Sequence, residues 1–264
     1  MEDAEMRQKQ KGMLITVGFT FVSIGFFLLL WTVMSTKNPD FLPSPLACIK
    51  KFQAMLGRPI SKVSLGGHIW ASLKRVLLAV LCATVIGIPL GLAMGWSRKV
   101  NAFVSPIFEF LRPIPPIAWI PLVILWFGVG EFSKVFLVTL GAYVPILMNT
   151  VTGVKMVPPV LLDVGKIYKA SSVQILKEIV LPAALPAIFA GLKTAVSSGW
   201  MIVLAAEMMA SKSGVGFLIT RGMEAYDVAM IIVGMCIIGI VGYLISICLS
   251  LLERRLCPWK TNLE

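Results

Sequence analysis

Charge is scarce in this chain. Asp, Glu, Lys and Arg make up 14% of its 264 residues, against about 25% in a soluble domain. A surface so poor in charge cannot face water on all sides, so lipid is the expected solvent. Histidine occurs once, at His68, which rules out a histidine-cluster metal site. The cysteines are Cys48, Cys82, Cys236, Cys248 and Cys257. They are odd in number and no two have metal-ligand spacing, so neither a disulfide nor a metal is expected. There is no Gly-x4-Gly-Lys-Ser/Thr loop to cradle phosphates, and no nucleophile stands at a recognisable spacing from a base. The chain is therefore expected to be no enzyme and to bind no cofactor itself. No internal repeat is evident. Acids are fewer than bases, giving a net charge of +11. In a soluble protein that would suggest nucleic acid. In an apolar chain the position of each charge matters more, and no nucleic-acid partner is expected.

What the sequence has in abundance is long apolar runs. Hydrophobic residues make up 58% and the mean hydropathy is +0.88. The runs predict an all-α, membrane-embedded fold of about six spans, near residues 13–34, 76–96, 114–129, 135–154, 184–209 and 228–252. The first is too long for a signal-peptide core and lacks a cleavage site, so it reads as an uncleaved span. Orientation follows Lys and Arg, which favour the cytoplasmic side. Placing both termini inside puts Arg7, Lys9, Lys11, Arg98, Lys99, Lys155, Lys166, Lys169, Lys177, Arg254, Arg255 and Lys260 there. The first outer connection is the basic exception. Within it, residues 46–56 have helical apolar spacing and read as a surface helix.

One inner connection, residues 155–181, is too long for a simple turn. Pro159 suits the first turn of a helix, and Leu161, Val164 and Tyr168 then share a face. Ser171 with Gln174 forms a capping-box pattern for a second short helix. Val173, Leu176 and Val180 would give that helix its own stripe, and Pro182 would end it. Two short amphipathic helices of this kind could dock on a partner protein or lie on lipid, and the pattern alone does not choose between them.

Asp163-Val164-Gly165, then Lys169, Ile179 and Leu181-Pro182, keep the spacing of the EAA loop and so resemble ABC importer permeases. Asp163 stands for the motif's Glu, Val164 and Gly165 stand for its alanines, and Lys169 stands for its bend glycine. A Lys in the left-handed region costs about 1 kcal/mol or more. Either the bend is built differently or Lys169 accepts the strain, and its charge could meet an acid on a matched ATPase. The residues 87–95, Leu111-Arg112-Pro113-Ile114-Pro115-Pro116, Trp126-Phe127-Gly128-Val129-Gly130-Glu131, Leu181-Pro182-Ala183-Ala184-Leu185-Pro186, Ala205-Ala206-Glu207-Met208-Met209 and Ser213-Gly214-Val215-Gly216 are similar to the sulfonate, taurine and nitrate branch. The likeness covers roughly residues 68–252.

The resemblance implies one membrane domain over residues 1–264. Residues 1–67 would form a peripheral first span and outer connection, 68–253 the permease core, and 155–182 a cytoplasmic coupling loop. It implies a bacterial inner-membrane protein working as a homodimer or permease pair. The partners would be two cytoplasmic ATPase subunits, which hold ATP and magnesium, and an extracytoplasmic substrate-binding protein. The best substrate expectation is an alkanesulfonate or taurine-type anion, with nitrate, bicarbonate or a vitamin precursor as alternatives. An ion-coupled secondary transporter would need several buried acids or repeated broken helices, and only Glu207 is a candidate. A membrane enzyme would need clustered His, Asp or Glu within the spans.

The candidate coupling residues are Leu161, Asp163, Val164, Gly165, Tyr168, Lys169, Ala170, Ser171, Leu181 and Pro182. Gly87, Gly91 and Gly95 lie four apart beside Pro89 and either admit a close helix or face lipid. Pro113, Pro115 and Pro116 cannot all sit in a regular helix, so they border a pathway or gate, or form a kink. Glu207 faces a cavity, holds a gate, or reaches out to the surface. Tyr143, Asn149, Ser197, Ser198 and Trp200 line a pathway or pack helices.

Overall fold

The structure is a computed structural model, and it describes residues 2–39 and 41–256. Cys257 and Lys260 lie outside them. Among the described residues the chain is built of helices: α1 Glu2–Lys37, α2 Pro45–Gly57, α3 Leu65–Trp96, α4 Arg98–Leu111, α5 Ile120–Phe127, α6 Glu131–Lys155, α7 Pro159–Ile167, α8 Ser172–Gln174, α9 Leu181–Ala210, α10 Val215–Glu224 and α11 Val228–Leu256. Five helical segments are long and apolar enough to cross a membrane. They become six if α4 and the segment Pro116–Phe127, bent by 82°, count as one span.

The third span, expected over residues 114–129, is this bent pair: it begins earlier, at Arg98, and carries a break at the prolines that a regular helix could not hold. Pro113, Pro115 and Pro116 remove consecutive backbone donors, so α4 stops at Leu111. A short 3-10 turn, Pro116–Trp119, then restarts the chain in a new direction. The second span also begins earlier than its apolar run suggests, because Ser64 caps α3 and its Oγ accepts from Gly67 N–H at 3.2 Å. The surface helix expected over residues 46–56 is α2, capped by Ser44. An ion pair from Lys51 to Asp227 ties it to the turn before α11.

The core is a trio in which α6 packs along both α3 and α9, parallel to α3 and antiparallel to α9. On α3 the face toward α6 is stripped of side chains. A Cβ on Gly91 would come within 2.7 Å of Thr150 Cβ, and one on Gly95 within 2.5 Å of Val154 Cβ. One on Gly87 would lie 3.0 Å from Ile146 Cγ2. The stripe therefore sets how closely α3 and α6 approach. Pro89 lies within α3, which continues through it. By contrast the span Gly18–Lys37 of α1 lies largely outside the fold, with 6% of it buried.

The other end of the α6–α9 hairpin holds the second correction. Pro182 does not end a short helix. Residues 172–209 run as one continuous helix through a wide turn, Ile175–Val180, in which Leu181 N–H donates to Leu176 O. Proline cannot donate, and its ring crowds the carbonyl four residues back. A π turn absorbs both defects without breaking the rod. The expected stripe of Val173, Leu176 and Val180 is also split, since Val180 is 1% exposed and Val173 is 59% exposed. Ile175 takes the buried place instead, because the wide turn rotates the faces.

Candidate functional site

Three places collect the sequence-predicted residues. The first is the loop between α6 and α9. Pro159 opens α7 at its first turn. The helix ends in a Schellman motif: Ala170 N–H donates to Gly165 O at 3.0 Å, and Lys169 N–H to Lys166 O at 2.9 Å. The residue that must turn left-handed there is Lys169, with φ 53°. The lysine thus occupies the strained conformation itself. Ser171 follows at once with both halves of a capping box, at 2.8 and 3.3 Å with Gln174. Gly165 is buried, and a Cβ there would stand 3.0 Å from both Ile175 and Ile179. Glycine at that position lets α7 fold down close on the arm that leads into α9. Leu161 and Val164 face outward, 43% and 42% exposed, and Tyr168 is 82% exposed. Asp163 pairs with Lys166 on the same outer surface at 2.8 Å. Leu181 and Pro182 sit at the root of α9.

The second place is a cleft of about 500 Å³ beside the proline break. Pro116 and Tyr143 line it together with Arg112, Trp119, Ser198 and Ile202. Pro113 and Pro115 are exposed on the break. Asn149 stands apart, donating to Pro145 O at 2.8 Å at the contact between α6 and Gly191 of α9. Ser197 and Trp200 lie on a different face of α9. They border a narrower groove of about 260 Å³ against α11, where Trp200 Nε1 donates to Ile238 O at 3.1 Å. The residues considered as pathway lining are thus not one set.

The third place lies at the end of the trio opposite the loop, and its centre is Glu207. The glutamate is 1% exposed, which excludes a carboxylate reaching out to the surface. Its partner is Arg75, 3% exposed. All five guanidinium N–H groups are used. Nε and Nη2 form a fork to Glu131 at 2.6 and 2.7 Å. Nη1 reaches Glu207 at 2.5 Å and Ser213 O at 2.9 Å, and Nη2 also reaches Ser213 Oγ at 3.0 Å. Ser72 Oγ lies 2.8 Å from both Glu207 oxygens and accepts from Val215 N–H at 2.9 Å. Gly216 N–H donates to the same carboxylate at 3.0 Å. Lys134 Nζ bridges Glu131 and Ser211 Oγ, both at 3.0 Å. His68 accepts from Gly214 N–H through Nδ1 and faces Ile60 O through Nε2, each at 3.1 Å. Those partners assign the proton to Nε2. A cleft of about 470 Å³ opens beside the cluster, with Glu131, Lys134 and the almost fully buried Glu207 among the residues that line it.

The cluster ties α3, α6, α9 and the start of α10 together. Glycine is required at its centre. Gly214 has φ 121°, and a Cβ there would fall 2.2 Å from the Glu207 carboxylate. Of these residues the sequence reading singled out Glu207 alone. Arg75 was legible in principle: counting back in fours from Gly87 reaches Ala83, Ala79 and Arg75, all on the buried face of α3.

The arrangement matches known proteins along nearly its whole length. The family described as binding-protein-dependent transport system inner membrane component matches residues 83–261. The taurine transport system permease protein TauC of Escherichia coli (strain K12) is 37% identical over 237 residues, covering 89% of this chain and 86% of that one. The nitrate import permease protein NrtB of Synechocystis sp. is 33% identical over 242 residues, covering 90% and 88%. Among solved structures, an inward-facing form of the MetNI methionine ABC transporter superposes with a TM-score of 0.64 at 20% identity. It covers 71% of this chain and 93% of that chain, a likeness of fold. The chain belongs to the binding-protein-dependent transport system inner membrane component family and is a membrane-spanning permease subunit of an ABC importer.

Proposed function

We propose that two copies of this chain form a pathway for a small anion, of the alkanesulfonate or taurine type, with ATPase subunits gripping the loop at residues 155–182. Both termini and that loop lie in the cytoplasm, where most of the charges flanking the spans are basic. The Arg75–Glu207 cluster then faces outward, toward the substrate-binding protein. ATP and its magnesium belong to the ATPase. The relatives that move taurine and nitrate support an anionic cargo. The secondary-transporter alternative falls with the family, whose members are permeases of ATP-driven importers.

One observation carries the docking reading. Leu161 and Val164 are apolar, outward-facing and four-tenths exposed, on α7, which packs through Gly165 against the arm that continues without a break into α9. A side chain gripped there moves a rod, and the π turn transmits the motion instead of absorbing it in a loose loop. ATP-driven closure of the ATPases would swing α9 against α6 and so open and close the cleft between them.

The experiment is charge insertion. Leu161→Glu and Val164→Glu are expected to cut uptake at least tenfold in the reconstituted transporter and to weaken co-purification of the ATPase. Wild-type uptake together with wild-type co-purification in both variants would overturn the docking assignment.

A further inference from the structure

We infer that Arg112 is the anion contact of the cleft, holding the cargo's negative group midway across the membrane. The inference rests on the pathway reading above and deepens it. Tyr143 is the central residue of the 25-residue α6, about 18 Å from either end at 1.5 Å per residue. Phe108 packs edge-on against the Tyr143 ring at 6.4 Å, and Arg112, which caps the C-terminus of α4, follows one helical turn later, its N–H donating to Phe108 O at 2.8 Å. The guanidinium therefore stands near the middle of the span, where a cation without water or a counter-charge is disfavoured.

Its surroundings give it neither full burial nor a firm partner. Arg112 is 46% exposed at the side chain, and its one ion pair is to Glu109, itself 57% exposed, at 3.4 Å. That contact is long for a charge-assisted hydrogen bond and sits one turn back on the same helix. Arg75 uses all its donors, whereas Arg112 leaves most of its fork unused. It is the only charged residue among those lining the cleft. The Tyr143 and Ser198 hydroxyls line the same cleft, and neither has a hydrogen-bond partner among the described residues. Trp119, Met148 and Ile202 supply apolar wall.

A planar cationic fork, two free hydroxyls and an apolar wall fit a small oxyanion carrying a short alkyl body. The sulfonate oxygens meet Arg112, Tyr143 and Ser198, and the alkyl chain lies on Trp119 and Ile202. Half-exposure suits a transit site, where binding must favour entry and still permit release. The proline break explains the position. It stops α4 at the middle of the span and leaves its last side chain beside an open cleft.

The test uses the complete transporter, with its ATPases and binding protein, in proteoliposomes, and takes ethanesulfonate and nitrate as probes. Arg112→Gln is expected to lower anion uptake at least tenfold, while Arg112→Lys keeps a third or more. Glu109→Gln, which frees the guanidinium, is expected to transport at or above the wild-type rate. Unchanged uptake by Arg112→Gln would overturn the assignment and leave the importer reading standing. A loss in Glu109→Gln equal to that in Arg112→Gln would overturn it in favour of a structural ion pair. Failure of the wild type to carry either anion would overturn the contact and the anion reading together. If Arg112→Gln does not assemble, Tyr143→Phe and Ser198→Ala decide. About a threefold rise in half-saturating anion concentration in either supports the site, and no change in both overturns it.

Discussion

The two ends of the α6–α9 pair treat the same backbone problem in opposite ways. Each end carries a residue forced to positive φ. At the end far from the loop it is Gly214, where the Glu207 carboxylate occupies the place a Cβ would take. At the loop end it is Lys169, exposed and with φ 53°. The far end is dry and paired: Arg75, Ser72, His68 and Glu207 are buried and every one has its partners. The loop end is open, with apolar side chains facing out and a single exposed ion pair. One end is a dry, fully paired block and the other an open loop with apolar side chains facing out. If that loop is the handle the ATPases grip, as proposed, this is the distribution of stiffness a permease driven from one side needs, because force applied there must meet something that does not yield.

The largest expected effect tests the block. Arg75→Met leaves Glu207 buried opposite Ser72 and Gly216 with no cation, and leaves Glu131 paired only with Lys134. Removing one partner of a buried pair costs about 3–5 kcal/mol. The variant should lose that much in detergent unfolding, with a matching fall in the yield of folded transporter. Unfolding at the wild-type midpoint would show that the cluster is not what holds α3, α6 and α9 together. Glu207→Gln is the milder cut. Arg75 keeps Glu131 and Ser213, so the loss should be about 1.5–3 kcal/mol, the worth of hydrogen bonds to a charged group. Insertion should persist while uptake kinetics change. Wild-type kinetics would confine Glu207 to packing.

How far the sequence could be read depends on how local each device is. Pro159, the Ser171–Gln174 box and the glycine stripe on α3 act within one or two turns, and their patterns were plain. The five-donor knot on Arg75 joins residues 56, 132 and 138 positions apart. No local period reports such pairings, so spacing alone did not bring Arg75 together with its partners. Pro182 was misread for the opposite reason. Its local rule, that proline stops a helix, was overruled by packing of Ile175 and Val180 on the core, which favours a wide turn over a break. The third span was misplaced in its start because its apolar run marked only the second limb, while its prolines marked the break correctly. The prolines prevailed, since a missing donor cannot be restored by hydrophobicity.

The smallest effect is the one that most sharpens the contrast. Lys169→Gly removes the left-handed strain of about 1–2 kcal/mol but adds the backbone entropy of glycine, about 0.5–1 kcal/mol. The net should be a gain of up to about 1.5 kcal/mol, visible as slower amide exchange over residues 165–175 and little change in the global midpoint. A loss instead of a gain would mean that the lysine side chain stabilises the bend within this chain. The comparison would then fail, because the loop end would be a second fixed block. If the gain appears while coupling to the ATPase weakens, the strain has a function. A lysine in open space and against its own backbone preference would then be explained by a contact outside the chain, and an acidic partner on the ATPase is the simplest object that would supply it.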